Sequence, residues 1–118
     1  MDQSPNKKFD LEERTYEFAL AVVKFCKKLP KNISNIEYVK QVIRSSGSPA
    51  ANYIEANESL SKKDFYMRIK ICRKEAKESA LWLKLIINTN NTEFRNEGSK
   101  LIQEANELTK IFSAILKK

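Results

Sequence analysis

The side chains whose types could support catalysis or metal binding include the glutamates Glu12, Glu13, Glu17, Glu55, Glu58, Glu75, Glu78, Glu104 and Glu107 and the two cysteines, Cys26 and Cys72. Carboxylates projecting inward from several helices can build a di-metal centre, but such centres also use histidine. This chain has none, so imidazole ligands and the commonest general base near neutral pH are both missing. The glutamates stand off the apolar seams described below and read as solvated surface carboxylates. The cysteines are far apart, without the close spacing of a metal knuckle or a redox pair. No histidine can activate either one, and no glycine-rich turn offers a phosphate cradle or an oxyanion hole. Reduced, buried thiols are expected, with no catalytic residue, metal, organic cofactor or small-molecule substrate.

Charge carries more information. The chain has 22 basic and 15 acidic residues, a net +7. The surplus gathers between residues 61 and 90, where Lys62, Lys63, Arg68, Lys70, Arg73, Lys74, Lys77 and Lys84 face only Asp64, Glu75 and Glu78. Lys63, Lys70, Lys74, Lys77 and Lys84 fall at helical positions i, i+7, i+11, i+14 and i+21, which places them on one stripe. With Arg73 beside it, that stripe is the expected nucleic-acid contact surface, since a row of cations attracts a phosphate backbone through counterion release, whatever the base sequence. A solvated outer face, balanced by Glu75 and Glu78 through neighbouring-turn pairs, is the competing reading. No interleaved aromatics or groove-reading motif narrows the choice.

The elements that must position these residues follow from periodicity. At 118 residues the chain holds one core, and with Gly 2 and Pro 3 it has few turns and long elements. Four seams repeat in alternating steps of four and three, the spacing of one face of a helix. The first is Leu11, Thr15, Phe18, Val22, Phe25 and Leu29, opened by Asp10 with Glu13 and closed at Pro30. The second opens at Ser34 with Glu37 in a capping-box spacing and runs Ile36, Val39, Ile43, Ser46, Ala50, Tyr53, Asn57 and Leu60. The third, after Ser61, is Phe65, Ile69, Cys72, Ala76, Ser79, Leu83 and Ile86, ending at the turn-forming Asn88-Thr89-Asn90-Asn91. The fourth is Phe94, Gly98, Leu101, Ala105, Leu108, Phe112 and Ile115.

Ser45-Ser46-Gly47-Ser48-Pro49 has the composition of a loop, yet the heptad phase passes through it unchanged, which indicates a helix kinked near Gly47-Pro49. Long helices joined by short turns run antiparallel to their neighbours. The expected fold is therefore all-α, an up-down-up-down four-helix bundle over residues 10–118, preceded by a flexible segment, 1–9. No stretch has an apolar signal core or the run of about eighteen apolar residues that spans a bilayer, so a cytoplasmic protein with no membrane contact is expected.

Two further apolar stripes lie beside the seams: Tyr16, Leu20 and Val23 on the first helix, and Ile71, Trp82 and Leu85 on the third. One stripe per helix suffices for a monomeric bundle, so these suggest either a broader core or, as the favoured reading, burial between subunits.

The stretch Gln41-Val42-Ile43-Arg44-Ser45-Ser46-Gly47-Ser48-Pro49-Ala50-Ala51-Asn52-Tyr53-Ile54-Glu55-Ala56-Asn57 resembles the signature of the bacterial four-helix-bundle proteins encoded by intervening sequences of the 23S rRNA gene. Accessory variability determinants of diversity-generating retroelements look related to them. The resemblance extends to Leu29-Pro30, Lys74-Glu75-Ala76-Lys77-Glu78 and Trp82-Leu83, with departures at Tyr53, Ala56 and Pro49. It implies a homo-oligomeric ring, commonly a pentamer, of basic bundles that associate with RNA or DNA and have no assigned enzymatic activity. An oligomeric scaffold that binds a partner protein, and no nucleic acid, is the alternative. In the signature, small Ser45, Ser46, Gly47, Ala50 and Ala51 would admit a neighbouring helix closely, while Asn52 and Glu55 could bond backbone groups freed by the kink.

Overall fold

The computed structural model describes residues 10–118; the segment 1–9, expected to be flexible, lies outside the described residues. Three helices begin at a side chain that replaces a missing backbone acceptor. Asp10 caps α1 (Leu11–Cys26) by accepting from the Glu13 N–H at 3.3 Å. Asn32, not Ser34, caps α2 (Ile33–Asn57), its Oδ1 accepting from the Asn35 N–H at 2.8 Å while Ser34 Oγ donates to the same atom. Ser61 caps α3 (Lys62–Thr89), accepting from the Asp64 N–H at 3.1 Å. A short 3₁₀ turn, Thr92–Phe94, leads into α4 (Arg95–Leu116).

Each helix packs on its sequence neighbours, and α4 returns to α1, which closes the four-helix bundle. Cross-links fix the antiparallel order. Arg14 of α1 grips Glu104 of α4 through two hydrogen bonds of 2.7 and 2.9 Å, and that bond holds the guanidinium above its ordinary value. Lys28 reaches Glu97 at 2.9 Å, and Asn57 near the end of α2 reaches Glu12 near the start of α1. Buried Asn35 and half-buried Asn90 exchange carboxamide hydrogen bonds of 2.8 Å, pinning the start of α2 to the end of α3.

The seams of α1, α3 and α4 form the core as their spacing requires: all of Leu11, Thr15, Phe18, Val22, Phe25 and Leu29 are buried, as are Ile69 through Ile86 on the α3 seam and Gly98 through Phe112 on that of α4. Phe65, Phe94 and Ile115 sit half-buried at its ends. The α2 seam is corrected by the structure. Asn35, Val42, Ser45, Ser46, Pro49 and Ala56 face inward, whereas Ile36 and Ile43 are 49% and 40% exposed and Leu60, in the α2–α3 turn, is 99% exposed. Counting hydrophobicity favours isoleucine over serine and so selects the wrong edge of the helix. What turns α2 is a hydroxyl pair: Ser45 Oγ and Ser79 Oγ meet at 2.9 Å, and Ser79 Oγ also bonds the Glu75 carbonyl at 2.9 Å. Serines satisfied by each other and by their own helix can be buried without loss and let two backbones come close. The helix is continuous through Ser45–Pro49. Proline removes one donor from the ladder, and its own carbonyl accepts from Cys72 Sγ at 3.5 Å.

Gly98 marks the close approach of α4: a Cβ there would collide with Ile87 Cγ2 and stand 3.3 Å from Phe25 Cζ. Gly98→Ala is expected to lose up to about 2 kcal/mol in urea denaturation, because overpacking of about 1–3 kcal/mol is only partly offset by the gain in helix propensity of about 1 kcal/mol. Burial also pushes the Cys26 thiol up to about 11 and that of Cys72 to about 12, from 9.0. A native thiol that keeps its proton while the unfolded one releases it gives stability that is whole below pH 9 and falls as pH rises above it. Stability measured between pH 9 and 11 should therefore decline less steeply in Cys72→Ala than in the parent.

Candidate nucleic-acid interface

The α3 helix is 28 residues long, about 42 Å at 1.5 Å per residue, and its seam faces inward along that length. The opposite side must then carry the stripe set by the seven-residue spacing of Lys63, Lys70, Lys77 and Lys84, roughly 10.5 Å per step. All four are exposed, as is Lys74, and Arg73 is half-buried toward α4.

The structure brings Lys70, Arg73, Lys74 and Lys77 together around a hollow of about 430 Å³ in the α3–α4 groove, which Glu78, Thr109 and Ser113 complete. Lys84 lines a second hollow of about 430 Å³ farther along the same groove, with Asn88 and Asn106. Lys63, in the first turn of α3, lines neither. The α4 residues Thr109 and Ser113 are not singled out by the sequence, since nothing in a hydroxyl's spacing on its own helix says that it will face another helix's lysines.

The carboxylates expected to balance this stripe are shared with α2, although Glu78 also borders the hollow. Glu75 is not a solvated surface residue: it is 6% exposed and lies in the contact with α2. Arg44 of α2 stands 3.5 Å from Glu75 Oε1 and 3.6 Å from Glu78 Oε1, so it draws both acids toward α2. Lys74 keeps a loose contact with Glu75 at 3.9 Å. Among the described residues Lys63, Lys70, Lys77 and Lys84 have no ion pair. Coulomb attraction between exposed charges is weak and screened, but unpaired ammonium groups around a concave site add their fields where a polyanion would lie.

The signature residues of α2 do other work. Asn52 Nδ2 donates to the Ser48 carbonyl at 3.1 Å, and its Oδ1 accepts from Arg68 at 2.9 Å, which ties α2 to α3. Glu55 is exposed, and only its main-chain carbonyl is used, by Ser59 Oγ at 3.1 Å. The expected role for Glu55 at a kink-freed group is thus not found. Gly47 admits no neighbour within the protomer: a Cβ there would meet nothing within 4 Å.

On the α1–α2 side, Tyr16 and Leu20 are 56% and 38% exposed and Val23 is half-buried. A hollow of about 710 Å³ there is floored by Cys26, Leu29, Ile36 and Val39 and rimmed by Lys27, Lys31 and Lys40. Among the described residues no group of three or more Cys, Asp and Glu side chains is placed to hold a metal ion, and no helix is long and apolar enough to cross a membrane.

Among curated proteins none matches this chain. Its fold is similar to the crystal structure of a protein of unknown function from the S23 ribosomal protein family of Bacteroides thetaiotaomicron VPI-5482. The two share 28% identity with a TM-score of 0.78, over 92% of this chain and 99% of that one. The sequence matches the family described as 23S rRNA-intervening sequence protein over residues 7–114. That match spans the bundle from before α1 into the last turns of α4, and the chain belongs to the 23S rRNA-intervening sequence protein family.

Proposed function

We propose that this protein is a non-enzymatic, homo-oligomeric bundle of the cytoplasm that associates with the phosphate backbone of nucleic acid through its α3–α4 groove. The observation that carries this reading is the concave cluster of Lys70, Arg73, Lys74 and Lys77, with Ser113 as a hydroxyl partner, since Thr109 Oγ1 donates to the Ala105 carbonyl at 2.8 Å, while Arg44 engages Glu75 and the bordering Glu78. Lysine and arginine with hydroxyl donors are the groups that contact phosphate oxygens. Without aromatics or a groove-reading element on the stripe, they would neutralise phosphates independently of base sequence. The family's name refers to an intervening sequence of 23S rRNA, which makes RNA the first polymer to test.

Oligomerisation is the second part of the reading. Tyr16 and Leu20 of α1 share a face with Ile36, Ile43 and Ile54 of α2, and all five are substantially exposed. A continuous apolar face of this kind is covered, in a well-behaved protein, by a partner. A ring of copies, a pentamer by family resemblance, would repeat the basic groove, and several weak contacts on one strand would act at high effective concentration.

Lys70→Glu/Lys74→Glu/Lys77→Glu should keep the helical circular dichroism and the parent's mass in solution while losing most binding to an RNA oligonucleotide at low salt. Binding as tight as the parent's would show that the stripe is only a solvated face, and would favour a scaffold that binds protein alone. Leu20→Glu should leave the helical signal intact and convert the assembly to monomers by light scattering; a parent that is itself monomeric would contradict the oligomeric reading.

A further inference from the structure

The hollow of about 710 Å³ between the end of α1 and the start of α2 differs in kind from the basic groove. Its floor is apolar. Cys26, the last residue of α1, and Leu29 just beyond it are each 7% exposed, Val39 is half-buried and Ile36 is 49% exposed. The one buried carboxamide on the lining is already committed: Asn35 Nδ2 donates to the Pro30 carbonyl and to Asn90 Oδ1, and Asn35 Oδ1 accepts from Asn90, all at 2.8 Å. The floor therefore favours apolar atoms of a ligand over polar ones.

The rim is cationic. Lys27 follows α1, Lys31 lies in the α1–α2 connection and Lys40 stands inside α2, so three segments of chain each bring one ammonium group to the same hollow. All three are exposed, and none has an ion pair among the described residues. The nearby groups that could have disturbed this balance are occupied elsewhere: Lys28 pairs with Glu97, and Glu37 accepts from Gln41. The dipole at the end of α1 accounts for a cation at Lys27, but not for Lys40, well inside the next helix. Lysine stems extend an apolar wall while their ammonium groups stay at its edge.

Small-molecule sites are hollows of roughly 300–1,000 Å³, mostly apolar, with a few polar groups that fix orientation. Like charges gathered over low-dielectric walls raise the local concentration of the opposite charge. We infer that this hollow binds an anionic amphiphile, an aliphatic chain ending in a carboxylate. The chain lies against Leu29, Ile36 and Val39, and the carboxylate sits among Lys27, Lys31 and Lys40. The ligand is held and not transformed. Concavity favours a single molecule over a lipid bilayer, because a hollow can enclose one chain whereas a membrane surface is flat. This goes beyond the nucleic-acid reading and does not rest on it.

Dodecanoate below its micellar concentration is the probe, with dodecanol as the uncharged chain and butyrate as the head group with little chain. In methyl NMR spectra of the whole protein, dodecanoate should shift the Leu29, Ile36 and Val39 methyls saturably and leave those of Leu81 and Ile102, in the α3–α4 groove, in place. Butyrate should shift none of them. Dodecanol should bind about tenfold more weakly, as should dodecanoate to Lys27→Gln/Lys31→Gln/Lys40→Gln, since three exposed charge contacts are lost together. The triple variant changes only exposed side chains, so its circular dichroism should match the parent's. Affinity that survives the triple substitution, dodecanol binding as tightly as dodecanoate, or shifts spread over the whole bundle would overturn the site. Methyls that stay still in the parent but respond in Leu20→Glu would assign the hollow to a neighbouring copy. Methyls that ignore dodecanoate but move with a glutamate-rich amphipathic peptide would assign it to a protein partner. Either result would overturn the inference.

Discussion

The distance between α2 and α3 is set at the Ser45–Ser79 hydroxyl pair, and much else depends on it. Close contact there turns α2 so that Ser45, Ser46 and Pro49 face the core, and Ile36 and Ile43 go outward. The same contact buries Glu75, and a buried carboxylate without a cation is costly. Arg44 answers it from α2 and takes Glu78 as well. The two acids that could have balanced the outer lysines of α3 are thereby shared with Arg44, although Glu78 still borders the basic hollow, and Lys70 and Lys77 are left without an ion pair among the described residues. A packing choice in the core decides the electrostatics of the opposite surface.

Three of the four helices are legible in the sequence because their core positions are large and apolar: Phe18, Phe25, Leu83, Leu108 and Phe112 fix the phase without ambiguity. For α2 the rule fails, since its core positions are mostly small or polar and its isoleucines face out. Ser34 is likewise a good capping residue in a good spacing, yet Asn32, two residues earlier, takes the N-terminal donor and Ser34 only supports it. Asn35, which locks α2 to α3 through Asn90, offers no pattern to find, because a carboxamide pair across 55 residues leaves no trace in either helix's periodicity. The groove is half legible. The lysine stripe can be read from i+7 spacing on α3 alone, but the hollow it borders requires Thr109 and Ser113 from α4.

Family and geometry divide the work. Membership in the 23S rRNA-intervening sequence proteins accounts for the helical bundle as a type. The particular surfaces, a concave basic groove on α3–α4 and an apolar face on α1–α2, come from how this sequence packs. The basic groove and the apolar face lie on different pairs of helices, so covering one would leave the other open. That arrangement would let oligomerisation multiply a weak, sequence-independent attraction.

Association through phosphate neutralisation has a thermodynamic signature that sequence-specific or apolar binding lacks. The direct measurement is the affinity of the unmodified protein for two RNA oligonucleotides of equal length and unrelated sequence across a range of salt concentrations. A linear fall of the logarithm of affinity with the logarithm of salt is expected, the same for both sequences, with a slope of about 0.7–0.9 for each phosphate neutralised. Affinity that ignores salt, or that belongs to one of the two sequences alone, would contradict it.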